Sequence, residues 1–178
     1  GGAGWDFSTL RPSGTPALSV GVTASGPVSF MQIWDTMCST ILSTGARRGA
    51  MMATLRCDHP DIEEFIGVKR DLAKLRHFNL SVLVSDAFMQ AVQADAEWPL
   101  VFPLGAHDSA TTEKTVERVW SGSMAPVRCR VLRKLPARQL WGQILQANYD
   151  YAEPGVIFVD RVNALNNLWY AEQVSATN

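Results

Sequence analysis

The sequence predicts an α/β fold with mainly parallel strands. Short apolar runs at Ala50–Leu55, Phe78–Val84 and Val156–Val159 read as buried strands. Between them, apolar residues recur every three or four positions, as they do on one face of a helix. Strands alternating with helices build a sheet covered by helices.

Taken in order, Trp5–Leu10 reads as a short first strand. Arg11–Pro27 is a Gly-, Pro-, Ser- and Thr-rich loop of about 17 residues, and loops that long are usually functional or disordered. Pro27 suits a first helical position, where its missing N–H leaves nothing unpaired. Phe30, Ile33, Trp34, Met37, Ile41 and Leu42 follow at helical spacing, and Gly45 ends the run. This helix over 27–44 carries almost no charge, so it is either buried or packed against another subunit. Ala50–Leu55 follows as a strand. Asp58 is expected to cap a helix whose first turn holds Pro60, Asp61 and Glu63.

Lys69–His77 is a dense basic stretch before the strand Phe78–Val84, and Asp86 opens a helix through Ala94. Trp98–Thr115, with Pro99, Pro103 and Gly105, reads as irregular. Ala137–Asn148 is a helix with Leu140, Trp141, Ile144 and Leu145 on one side. Asp160–Trp169, after the last strand, reads as a polar, Asn-rich loop.

Composition excludes several classes. The 178 residues hold 16 Lys+Arg against 17 Asp+Glu, a net charge of -1, which leaves no basic field for direct nucleic-acid binding. With 47% apolar and 19% charged residues the chain is no disordered tail. No apolar run is long enough to span a bilayer, and no export signal opens the sequence. Cys38, Cys57 and Cys129 are odd in number and far apart, and His59, His77 and His107 form no pair at helical spacing. Neither a disulfide framework nor a metal site is expected, and a reducing, cytoplasmic setting fits.

Few residues point to chemistry by themselves. Gly1-Gly2-Ala3-Gly4 fits either a close backbone approach to a ligand or an ordinary turn. Arg47 and Arg48 fit a helix C-terminus. Lys69, Arg70, Lys74, Arg76 and His77 fit either an anionic ligand or a solvated loop. His59, before a proline, fits a turn, and Cys38 fits the core. Glu63, Glu64 and Asp160 form no convincing acid/base pair, and no Gly-x-Ser-x-Gly elbow occurs.

Longer strings carry more. Gly1-Gly2-Ala3-Gly4-Trp5-Asp6-Phe7-Ser8-Thr9-Leu10-Arg11-Pro12 resembles the Gly-rich strand and Arg-Pro turn of the ribonucleotide reductase catalytic subunit. Ala24–Phe30, Gly45–Met52, Asp58–Ile62, Phe78–Val82 and Pro154–Asn163 follow in that family's order. Asn166–Tyr170 and Ser175–Asn178 look most like its adenosylcobalamin-dependent, class II branch. Residues 98–130 match weakly and read as a lineage-specific insertion.

The resemblance implies one partial domain over 1–178, part of a ten-stranded α/β barrel of two five-stranded half-sheets. It implies a thiyl-radical reaction that replaces the ribose 2′-hydroxyl by hydrogen, adenosylcobalamin as cofactor, and re-reduction by a thioredoxin-type partner. Asn178 would hydrogen-bond the substrate ribose, and the radical cysteine would follow it. None of the three cysteines falls at a catalytic position, so the piece alone is expected to be inactive. Gly1, Gly2 and Arg76 would contact the ribonucleotide substrate. Arg11, Ser13, Gly14, Lys69 and Lys74 would bind a deoxynucleotide effector through two specificity loops, and helix 27–44 would form a homodimer. The alternatives are a non-catalytic deoxynucleotide-binding module and, further off, an interaction domain using the apolar helix.

Overall fold

The computed structural model describes residues 2–17, 21–40, 49–105 and 114–177. Its elements begin with β1 (Ala3–Asp6), β2 (Pro16–Ala17), β3 (Val22–Thr23), α1 (Pro27–Thr40) and β4 (Met51–Arg56). Then come α2 (Ile62–Gly67), a 3-10 turn (Val68–Arg70), β5 (Phe78–Val84), α3 (Asp86–Gln93) and β6 (Glu97–Pro103). The last are β7 (Thr115–Val119), β8 (Pro126–Pro136), α4 (Ala137–Tyr151), β9 (Gly155–Phe158) and α5 (Val159–Ala164).

β1, β4, β5 and β9 form a four-stranded parallel sheet in the order β1-β4-β5-β9. Its register puts Gly4, Met52 and Asn79 in one row, and Asp6, Thr54, Ser81 and Gly155 in another. Because side chains alternate along a strand, these rows share one face. The intervening residues, among them Ala53, Leu55, Phe78, Leu80 and Val82, are buried on the other face. There they meet Met31 of α1, Ile62 and Phe65 of α2, Phe88 of α3, and Leu140 and Ile144 of α4 in one core. The helices thus cover the apolar face, and the opposite face is the more polar one, with Asp6, Thr54, Asn79 and Ser81 beside Met52, Leu83 and Ile157.

The expectation of mainly parallel strands holds for this sheet alone. β6, β8 and β7 form a three-stranded antiparallel sheet in that order, and β2 and β3 form an antiparallel pair. Trp98–Thr115, expected to be irregular, contains most of β6. Its prolines are tolerated because β6 is an edge strand, where a missing N–H breaks no ladder. The antiparallel sheet builds its own small core from Val101, Trp120 and Cys129.

Other boundaries differ from those expected. The first strand is Ala3–Asp6 rather than Trp5–Leu10, because Gly4 sits in the ladder opposite Met52. Asp58 caps no helix. It lies 1% exposed, with its carboxylate bound by Arg56, and α2 begins only at Ile62. Ser85 caps α3 by accepting the Phe88 N–H. Part of the Asn-rich segment after β9 is α5, where the Asn163 side chain donates to the Val159 carbonyl one turn back.

Candidate functional site

The polar face of the parallel sheet is crossed by the segment Val174–Thr177. Thr54 Oγ1 donates to the Ser175 carbonyl at 2.7 Å. Asn163 grips Val174 at both ends of its peptide, donating to its carbonyl (2.9 Å) and accepting its N–H (2.7 Å). Gly4 makes the crossing possible: a Cβ there would lie 2.0 Å from the Thr177 carbonyl oxygen. At Gly4, then, the close backbone approach is made by the protein's own chain. Neither Thr54 nor Asn163 is legible beforehand, since each acts through backbone far away in sequence.

The loop after β1 is held against the start of α2. Arg11 Nη1 donates to the Pro16 carbonyl (3.0 Å), folding the exposed guanidinium back over its own loop. The Ser13 N–H donates to Asp61 Oδ2 (2.8 Å), and the Gly14 N–H to the Ala24 carbonyl (2.9 Å). Gly14 has φ +76°, a conformation in which a side chain would be strained.

His59 is buried beneath this loop. Its Nε2 faces the Leu10 carbonyl at 3.0 Å, and its Nδ1 accepts the Asp61 N–H at 3.1 Å. That pairing requires a neutral ring protonated on Nε2. Burial holds the imidazole below its ordinary value of 6.5, against the pull of the Leu10 carbonyl, Asp61, Asp58 and Asp6. The unfolded chain therefore takes up a proton on His59 before the folded one does. Stability should fall as pH drops below 6.5, by up to about 1.4 kcal/mol per pH unit. Urea unfolding at pH 7 and pH 5.5 should show the loss. A His59→Gln chain should show a flatter dependence in that window, and an unchanged slope would remove the assignment.

The cationic loop before β5 is organised around Lys69. Its ammonium donates to the Leu75 and Phe78 carbonyls (2.7 Å each) and lies 3.5 Å from Glu153. Lys69, expected as an effector ligand, is thus engaged in holding the loop. Lys74 is exposed. Arg76 lines an open cleft of about 340 Å³ with Gly49, Ala50, His77 and Asn79. His77 is set by Asp35 of α1, which accepts its backbone N–H at 2.8 Å and faces its ring at 3.3 Å. Asp35 escapes notice in the sequence as one acid on an apolar helix.

The register carries Gly2 into the row of Ala50 and His77, so Gly2 and the cleft share the edge where the strands begin. Arg11, Ser13 and Gly14 follow the opposite end of β1, and α2 lies between the two loops. Gly1 and Asn178 lie outside the described residues, as do Arg47 and Arg48 and residues 41–44 of the expected helix. Cys38, Cys57 and Cys129 are all buried free thiols. Burial, with Asp58 adding to it, pushes Cys57 up to about 12 and Cys129 up to about 11, so both stay thiols.

The family model for the ribonucleotide reductase barrel domain matches residues 1–178. The chain belongs to that family. A vitamin B12-dependent ribonucleoside-diphosphate reductase of Mycobacterium tuberculosis (strain CDC 1551 / Oshkosh) is 38% identical over all of this chain and 22% of its own length. A protein of the same name from Thermoplasma acidophilum is 36% identical, over all of the chain and 20% of its length. A ribonucleoside-diphosphate reductase subunit alpha of Helicobacter pylori (strain J99) is 27% identical, over all of the chain and 23% of its length. The chain therefore spans about a fifth of these ribonucleotide reductase relatives. Among the described residues no helix is long and apolar enough to cross a membrane.

Proposed function

We propose that the chain is the central barrel segment of an adenosylcobalamin-dependent ribonucleotide reductase, in which a ribonucleotide loses its 2′-hydroxyl by thiyl-radical chemistry. The observation that carries this reading is the family match over residues 1–178. The parallel sheet is then part of one half of a ten-stranded barrel, with its polar face inward. Val174–Thr177 runs along that face; in this reading Asn178 makes the ribose contact, and Gly1 and Gly2 contact the substrate. Arg76 reaches the substrate base or its phosphates from the cleft. Arg11, with Ser13 and Gly14, receives effector phosphates, and Lys74 adds charge to a loop that Lys69 keeps in shape. A thioredoxin-type dithiol returns the reducing electrons.

The relatives named as vitamin B12-dependent support the cofactor. The cleft of about 340 Å³ is too small for a corrin with its nucleotide tail, and we assign no residue of this chain to hold it. When bound, the cofactor supplies the radical that starts the reaction. For the homodimer, α1 offers Phe30, Ile33 and Met37, all exposed on a helix with no basic residue and only Asp35 as an acid. A second copy of the same face would cover them.

The complete protein, given a ribonucleotide, adenosylcobalamin and a dithiol, is expected to release the 2′-deoxyribonucleotide, and absence of that product would overturn the reading. Arg11→Ala in the complete protein should weaken deoxynucleotide binding by roughly 1.5–3 kcal/mol, the scale of a charge-assisted hydrogen bond. Equal affinity by calorimetry would remove Arg11 from the effector site.

A further inference from the structure

We propose that Asp61 is a positioning residue that clasps both ends of the loop between β1 and α1 and ties that loop, through α2, to the cationic loop before β5. The proposal rests on reading the first loop as an effector site and the second as the loop that reads the substrate base. It answers a question the geometry raises, since α2 separates the two loops.

Both ends of the first loop converge on one carboxylate. Asp61 Oδ2 accepts the Ser13 N–H at 2.8 Å where the loop begins. At its exit, a Cβ on Gly26 would lie 2.7 Å from the same oxygen and 2.9 Å from Ser13 Cβ. Gly26 also has φ +83°, so glycine is required there twice over. The stem is fixed from the same point, because the Asp61 N–H donates to His59 Nδ1 and His59 Nε2 faces the Leu10 carbonyl.

The same residue opens α2. Its carbonyl accepts the Phe65 N–H at 3.0 Å, and Ile62, Phe65 and Ile66 are buried, so the helix cannot slide without disturbing the core. α2 runs directly into the 3-10 turn. There the Asp71 N–H donates to the Val68 carbonyl and the Lys74 N–H to the Asp71 carbonyl, while Lys69 fixes Leu75 and Phe78. A continuous line of hydrogen bonds and one short, packed helix thus joins Ser13 to the loop that carries Arg76. A change in the first loop that pulls on Asp61 is passed to the second.

The test uses the complete protein with dTTP and dGTP as probes. Asp61→Ala is expected to weaken their binding by at least about tenfold in calorimetry, with effector-free turnover unchanged. At saturating probe, the shift in substrate preference that the probe induces should shrink, which loss of affinity alone would not cause. Asp61→Asn keeps an acceptor oxygen and should restore most of both. Gly26→Ala attacks the clasp from the loop side and should reproduce the defect. Should Asp61→Ala fail to fold, as judged by its melting curve, the other two variants decide. Wild-type affinity, or a full preference shift at saturation, would overturn the proposal. If Arg11→Ala weakens binding while the Asp61 and Gly26 variants do not, the effector reading stands and the clasp alone falls. If Arg11→Ala has no effect either, both fall.

Discussion

Replacing Asp58 by Ala should destabilise the fold by about 3–5 kcal/mol, the scale of leaving a buried charge without its partner. Asp58 is 1% exposed and binds Arg56 with both oxygens, at 2.8 and 2.9 Å. Arg118 approaches it at 3.5 Å from the antiparallel sheet. Burial opposes the Arg56 charge, but Asp58, by proximity and by hydrogen bond, with Cys57 and Asp6, raises its pKa overall. Without Asp58 the Arg56 guanidinium still keeps its charge, because arginine is not deprotonated in proteins, and that charge is left buried without its partner. The same guanidinium donates to the Val119 carbonyl and stacks 4.6 Å from the Trp120 ring, while Arg118 lies 5.6 Å from the Trp98 ring. This network joins the two sheets, so its loss should also loosen residues 98–130. Urea unfolding followed by tryptophan emission measures the effect. A loss under about 1 kcal/mol would mean that apolar packing, and not this ion cluster, holds the sheets together.

Gly4→Ala should act on turnover and hardly on stability. The added Cβ would lie 2.0 Å from the Thr177 oxygen and 2.7 Å from its carbonyl carbon. Carbon and oxygen in such contacts settle near 3.3 Å, so the segment must move by more than about 1 Å. Misplacement on that scale next to a reacting centre is worth about a hundredfold in rate. In the complete enzyme kcat should fall by about that factor, while the unfolding midpoint stays close to wild type. A kcat within about threefold of wild type would show that the strand's glycine does not place the segment before Asn178.

Elements with a strong period are legible in the sequence, and those defined by distant partners are not. α1 and α4 follow from their apolar spacing, α3 from Asp86 at its start, and β4 and β5 from short buried runs. β6 is missed because Pro99 and Pro103 read as breakers, and only the strand order shows that it is an edge. β1 is misplaced because glycine is disfavoured in strands; Gly4 is there for the backbone that crosses it. The candidate site divides in the same way. Arg11, Lys74 and Arg76 stand out as cations in loops. Asp61, Asp35 and Asn163 do not, because each acts by receiving or gripping backbone brought near only by folding. Asp58 reads as the cap and Asp61 as an acid of the helix's first turn, whereas their side chains serve two different contacts, Arg56 and the Ser13 N–H.

The joint between the sheets also dictates an order of assembly. Arg56 and Asp58 are two residues apart and can find each other as soon as both are made. The Trp120 indole N–H that donates to the Ser8 carbonyl must close a span of 112 residues. Closing so long a loop costs entropy before any contact offsets it. On a ribosome the ion pair and the nearby strands β1 and β4 are available first, and the indole arrives on a surface already prepared for it. Trp120 thus acts as the latch between the two sheets, and its emission would time the moment at which they become one body.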